Sequence, residues 1–208
     1  AEQDITIVAD GVADDVWEQL TTQYPTLDLQ RTKFGHNAGS FIYSLEQAVN
    51  LPDETLVYFV EDDYIHEKDC ISEMLFTYEK FASLIKDELI LCPSDFPYLY
   101  NKFEPTQIIL GNKRHWRVVE ETLVTFLTSK KLLLKHWDTF ASMSKINHTP
   151  FEKPLHDIYS KQYCLSPIPS LAMHCANINS IYGISPLMDW KRLWDENEVN
   201  DENKQMGR

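Results

Sequence analysis

The sequence predicts an α/β fold: a mostly parallel central sheet flanked by helices, with a smaller antiparallel portion in its second half. Three observations predict it. Apolar, β-branched runs alternate with amphipathic stretches up to about residue 95, in the order β-α-β-α-β-α-β. Several of those apolar runs end on acidic residues. Beyond that point, closely spaced extended segments surround a Gly111-Asn112 turn, the pattern of an antiparallel hairpin.

The elements follow in order. "DITIVADG" reads as a buried strand ending at Asp10-Gly11. "ADDVWEQLTTQY" places Val16, Trp17 and Leu20 at helical spacing, with acids in the first turn where the helix dipole favours them. "TLDLQRTKF" alternates as a second strand, and "GHNAGSFIYSLEQAV" is a glycine-containing loop entering a helix. "TLVYFV" is a third strand, "KDCISEMLFTYEKFASLIK" a long helix, and "ELILCPSD" a strand closing on Ser94-Asp95. "QIILGNKRHWRVVEETLVTFLTS" contributes two strands and further extended chain, and "KKLLLKHWDTFASM" a helix. "FEKPLHDIYSKQ" is a loop into a short helix, "CLSPIPSLAMHC" a last strand, and 196–208 a polar tail. The expectation is one domain over 1–208, with a first half to about 95 and a second half over about 96–195.

Bulk properties exclude several function classes. The net charge of −13 argues against a broad nucleic-acid footprint or an anionic membrane surface. No run of about 18 apolar residues is present to span a bilayer. The four cysteines, Cys70, Cys92, Cys164 and Cys175, form no C-x-x-C pair, so free thiols and a cytoplasmic location are expected. "NHT" at 147–149 matches a glycosylation acceptor formally, but Pro150 follows it.

Ligands of open α/β sheets gather beyond the carboxyl ends of the strands. Acids stand at three such ends: Asp10, the run Glu61-Asp62-Asp63, and Asp95. A single acid after a strand is equally a helix cap. Adjacent acids repel, and the run calls for a counter-charge. Carboxylates of this kind suit Mg2+ or Mn2+, which retain waters and bridge substrate phosphates. Strand alternation would turn Glu61 and Asp63 one way and Asp62 the other. Neither a dinucleotide fingerprint nor a P-loop is present, so bound phosphates would be handled by metal.

The succession "ITIVADG", "FGHNAGSFIYSLEQAV", "TLVYFVEDDYI" resembles the nucleotide-binding half of a GT-A-fold, Rossmann-related glycosyltransferase. The resemblance implies that Asp10 meets the nucleobase and that Arg31, Asn37 and Gly39 border the nucleotide. It implies Glu61 or Asp62 at the ribose, and Asp63 on Mn2+ or Mg2+ as part of a D-x-D-type motif. A UDP-sugar is the implied donor and a glycan or other hydroxyl the implied acceptor. "EETLVTFLTSKKLLLKHW" and "PFEKPLHDIYSK" are similar to the family's acceptor-side segments, which implies Asp157 as catalytic base with Glu152 as the alternative. "PSLAMHC" implies His174 at the metal or the phosphates, with His66 ranked below it, and "NSIYGISPLMDW" as a loop closing over the site. Such enzymes normally open with a strand upstream of this one. Here three residues precede Asp4, which leaves the choice of nucleotide open.

For the acceptor, aromatic faces and carboxylates in "CPSDFPYLYN" and "KRHWR" nominate Asp95, Tyr98, Tyr100 and Trp116, although aromatics are more often core. Lys113, Arg114 and Arg117 form a basic patch that suits either a diphosphate or a solvated hairpin. Two other readings stay open. One is a sugar-phosphate nucleotidyltransferase, which would show a glycine-rich phosphate loop. The other is a catalytically silent carbohydrate- or metal-binding domain.

Overall fold

The computed structural model describes residues 4–145 and 152–198. The first half follows the expected order. β1 (Thr6–Asp10) leads to α1 (Asp14–Gln23), β2 (Asp28–Thr32), α2 (Asn37–Ala48) and β3 (Leu56–Phe59). A short strand, β4 (Tyr64–His66), follows the acids, before α3 (Cys70–Ile85) and β5 (Ile90–Leu91). The second half contains β6 (Ile108–Leu110), β7 (His115–Val119) and β8 (Phe126–Ser129). Then come α4 (Lys130–Lys135), α5 (Trp137–Ser142) and α6 (Lys153–Tyr159). β9 (Cys164–Ile168), β10 (Ala172–His174) and α7 (Trp190–Asn197) end the described chain.

The mostly parallel sheet is corrected. The main sheet has six strands in the order β3-β8-β5-β9-β7-β6, and only the β5–β9 pairing is parallel. β8 is the cause. It returns between β3 and β5 and runs antiparallel to both, so two strands that share a direction never touch. β1 and β2 pair in parallel as a separate two-stranded sheet. β4 and β10 form a further antiparallel ribbon.

Alternation along the strands builds a three-layer packing. Phe59, Ile90, Val119, Phe126 and Cys164 point into one core with α2, α4, α5 and α6. Their neighbours Tyr58, Leu91, Val118, Leu127 and Leu165 point into the other, against Cys70, Met74, Tyr78 and Phe81 of α3. Those α3 residues recur at three- and four-residue spacing, which lays one helix face on the sheet. α1, by contrast, buries no residue fully. A small third core of Met173, Met188 and Leu193 fastens α7 to the β4–β10 ribbon.

Among the described residues no helix is long and apolar enough to cross a membrane. All four cysteines are free, with Cys70, Cys92 and Cys164 buried. The sequon at Asn147–Thr149 and most of the tail, 199–208, lie outside the described residues.

Candidate functional site

The site begins where β3 stops. After Phe59 the chain turns at Asp62-Asp63 and re-enters as β4. Asp62 is exposed, while Glu61 and Asp63 are half-buried. Thr125, just before β8, holds Glu61 in place. Its hydroxyl accepts the Glu61 N–H at 3.0 Å and donates to Glu61 Oε2 at 3.3 Å. Burial, and then the charge of Asp63, push the Glu61 carboxyl up from 4.5 to about 7.

The β4–β10 register sets Tyr64 opposite His174, and this brings His174 to Asp63. The two side chains are 111 positions apart in sequence, yet Nε2 of His174 lies 3.1 Å from Oδ2 of Asp63. The Tyr64 ring lies 5.0 Å from the imidazole, and the Phe96 ring meets it edge-on at 6.4 Å.

Both ring nitrogens of His174 face acceptors, the Tyr182 carbonyl at Nδ1 and the Asp63 carboxylate at Nε2. Nδ1 lies 2.9 Å from the Tyr182 carbonyl oxygen, which can only accept, so Nδ1 donates. A neutral ring then turns the lone pair of Nε2 toward a carboxylate oxygen. Two acceptors at that separation need a proton on Nε2 or a cation bound to both. The other Asp63 oxygen, Oδ1, is buried with no hydrogen-bond partner among the described residues. An oxygen and an imidazole nitrogen in this arrangement fit a divalent cation such as Mn2+. Among the described residues no group of three or more His, Cys, Asp and Glu side chains is placed to hold a metal ion. A cation here would complete its shell with water and ligand phosphates, the usual habit of Mg2+-type sites.

Two further carboxylates belong to this neighbourhood. Glu152, the residue before α6, has a buried Oε2 without a partner among the described residues, and its charge contributes to raising Glu61. Glu121 accepts the hydroxyl of Tyr182 and lies 3.6 Å from Lys102. Asp157, the nominated base, stands on the exposed face of α6, away from buried Leu155 and Ile158. The helix turns its apolar side inward, and Asp157 goes to solvent with the polar side.

The other nominated residues separate into distinct groups. Asp10 serves its own loop. Its oxygens accept from Thr32 Oγ1 at 2.8 Å and from the N–H groups of Phe34 and Gly35 at 2.6 and 2.8 Å. Burial would raise its carboxyl, but these hydrogen bonds outweigh it and leave the group lowered. Arg31 reaches Asp14 at 2.7 Å and the Val12 carbonyl at 2.8 Å, tying β2 to the start of α1. Asn37 is exposed in the first turn of α2. Gly39 permits a close approach there, since a Cβ would sit 2.6 Å from that of Phe34.

Of the nominated acceptor residues, Trp116, Asp95 and Tyr98 are corrected as buried, while Tyr100 is 44% exposed. Trp116 is fully buried in the α3-side core, its indole N–H directed at Glu73 over 3.4 Å, and presents no ring face to a ligand. Asp95 is fully buried and paired with Arg117 at 2.9 Å, and it accepts the Tyr100 hydroxyl. Tyr98 packs 5.3 Å from Tyr182 and donates its hydroxyl to the Glu121 carbonyl. The basic patch is a hairpin feature. Lys113 and Arg114 reach Asp69 at 3.4 and 3.2 Å, and Glu73 accepts the N–H groups of residues 112–114. Asp69, Lys113 and Arg114 line a crevice of about 590 Å3 with Glu67, Asp189 and Arg192, where the charges largely balance one another. His66 is engaged by the Tyr58 hydroxyl at 2.7 Å.

Sequence reasoning missed Glu121, Thr125 and Tyr182. Each acts through a contact between distant segments, and no local pattern marks such a contact. Compared with protein-family models, curated proteins and solved structures, the chain matches none.

Proposed function

We propose that the chain is a metal-dependent glycosyltransferase, moving a sugar from a nucleotide-diphosphate donor of the UDP-sugar type to a hydroxyl on a glycan. The observation that carries this reading is the confrontation of Asp63 and His174. His174 Nε2 lies 3.1 Å from Asp63 Oδ2, a contact that a proton or a cation must complete, beside a buried carboxylate oxygen with no partner among the described residues. That arrangement suits a cation, and a diphosphate is the ligand that brings Mn2+ or Mg2+ with it. The order of elements leading to Glu61-Asp62-Asp63, and its resemblance to GT-A enzymes, supplies the sugar nucleotide.

When bound, the metal would offset negative charge on the departing diphosphate. The chain's own part is positional and acid–base. Glu61, fixed by Thr125 and half-buried, suits a hydrogen bond to a ribose hydroxyl. Glu152 suits the base. Its carboxylate would take the proton of the acceptor hydroxyl as the hydroxyl oxygen bonds the anomeric carbon and the carbon–diphosphate bond breaks. Displacement of this kind inverts the anomeric centre.

Calorimetric titration of UDP with and without Mn2+ tests the donor side. Mn2+ should tighten UDP by about tenfold or more, and Asp63→Ala should remove that gain. UDP affinity indifferent to both metal and substitution would sink the reading. On the acceptor side, Glu152→Gln should lower sugar transfer by about 10²–10⁴-fold while UDP binding persists.

A further inference from the structure

We propose that Tyr182 is a positioning residue for His174: its carbonyl decides which imidazole nitrogen faces Asp63, and its hydroxyl, bound to Glu121, anchors that carbonyl. The inference rests on the reading of Asp63 and His174 as the metal pair. It goes beyond that reading by identifying what makes the pair competent.

The anchoring is built from several directions. The segment from Asn177 to Ile184 closes on itself. Ser180 N–H donates to the Asn177 carbonyl at 2.7 Å, Gly183 to Ser180 at 3.0 Å, and Ile184 to Ile178 at 3.1 Å. The turn is tight enough that a Cβ on Gly183 would sit 2.1 Å from the Ile178 carbonyl oxygen. The segment is also fixed to the rest of the fold, because Tyr98 N–H donates to the Ile181 carbonyl at 3.0 Å. Tyr182 itself packs edge-on to Phe96 at 5.4 Å and against Tyr98 at 5.3 Å. Its hydroxyl is held by Glu121, a residue between β7 and β8. The carbonyl therefore arrives at Nδ1 of His174 from a braced turn.

The chemical consequence concerns the lone pair. A histidine binds metal through the nitrogen that lacks hydrogen, and the partner of the other nitrogen selects which one that is. With Nδ1–H committed to Tyr182, Nε2 is the ligand nitrogen, and it already points at Asp63. If the turn loosens, the ring gains the opposite tautomer and free rotation, and the pair no longer presents two donors to one point. Residues acting on a metal ligand in this way typically change affinity by about 10–100-fold.

The test uses the full chain and two readouts. Without metal, and at a pH high enough to leave the ring neutral, a long-range 1H–15N correlation spectrum of the 15N-labelled protein reports the His174 tautomer. With UDP present, the EPR signal of free Mn2+ during titration reports metal affinity. Tyr182→Phe and Glu121→Ala should each raise the share of the other tautomer and weaken Mn2+ by about tenfold. Glu121→Gln keeps an acceptor for the hydroxyl and should stay within about threefold of the wild type. Should Glu121→Ala fail to fold, Tyr182→Phe alone decides, since it removes one oxygen and leaves the ring packing. A Tyr182→Phe protein with wild-type tautomer and wild-type Mn2+ affinity overturns the inference. A wild-type chain that binds no Mn2+, yet shifts its tautomer on Tyr182→Phe, overturns the metal reading and leaves the positioning role standing.

Discussion

Asp95 and Asp63 both follow an apolar strand by a few residues, yet the chain answers the two charges in different ways. Asp95 is fully buried and meets the guanidinium of Arg117 at 2.9 Å. Arg117 lies with its guanidinium carbon 4.4 Å from the Tyr100 ring, and the Tyr100 hydroxyl donates to the same carboxylate. Burial pushes the Asp95 carboxyl up, while the Tyr100 hydrogen bond and the Arg117 charge pull against it. Asp63 meets an imidazole, whose charge is conditional, and one of its oxygens has no partner among the described residues. A permanent counter-charge makes a structural joint. A conditional one leaves room for a cation that arrives from outside. Acids at strand ends are therefore distinguished by what faces them, and not by their place in the sequence.

The sharpest way to break the comparison is to remove the permanent charge. Arg117→Ala should cost about 3–5 kcal/mol in urea unfolding, because it strands a buried carboxylate. Mn2+ should not restore that loss. A cost below about 1 kcal/mol would mean that Asp95 is neutral in the fold and the pair unimportant.

Next in size is Glu61→Gln. The carboxyl is raised from 4.5 to about 7, so the folded state favours its protonated form. The sign follows from linkage: the penalty for the buried charge is absent below 4.5 and fully present above about 7. The amide removes a charge that only high pH creates. Glu61→Gln should therefore stabilise the protein by about 1–3 kcal/mol at pH 8, and the gain should vanish by about pH 4. Thermal melts across that range would check it, and a gain that is constant with pH would contradict the assignment.

The smallest effect belongs to Asp157. Exposed on α6, its replacement by Asn should change stability by no more than about 0.5 kcal/mol and leave UDP binding unaltered. Loss of sugar transfer in Asp157→Asn, with Glu152→Gln active, would reverse the two roles.

Much of the local structure was legible in the sequence. The runs around Val8, Leu29 and Val57 became strands, and Phe41, Leu45 and Ala48 face the core as their helical spacing requires. The resemblance also implies Asp63 and His174 at one metal, and their side chains do meet, at 3.1 Å. What stayed hidden was non-local. "FLTS" reads as extended chain, but no feature of those residues says that β8 lies between β3 and β5. The same limit explains Trp116 and Asp95. Their residue types suit a sugar-binding surface, and only the arrival of Glu73 from α3 and of Arg117 from β7 turns them into core. Asp157 and Glu152 illustrate it on a smaller scale, because one helix rotation decides which carboxylate is turned away from solvent.

The β4–β10 ribbon has a consequence for how the protein matures. It is only a few residues long, but it joins positions 64 and 174, so closing it demands that most of the chain be in place. Contacts of such wide separation carry a loop-closure cost that must be met before they stabilise the fold. The Asp63–His174 pair is thus an assay of completeness: a half-folded chain has the aspartate and the histidine but not the geometry. A cation that selects the finished pair would favour the native state alone, and nascent or misfolded chains would be left without it.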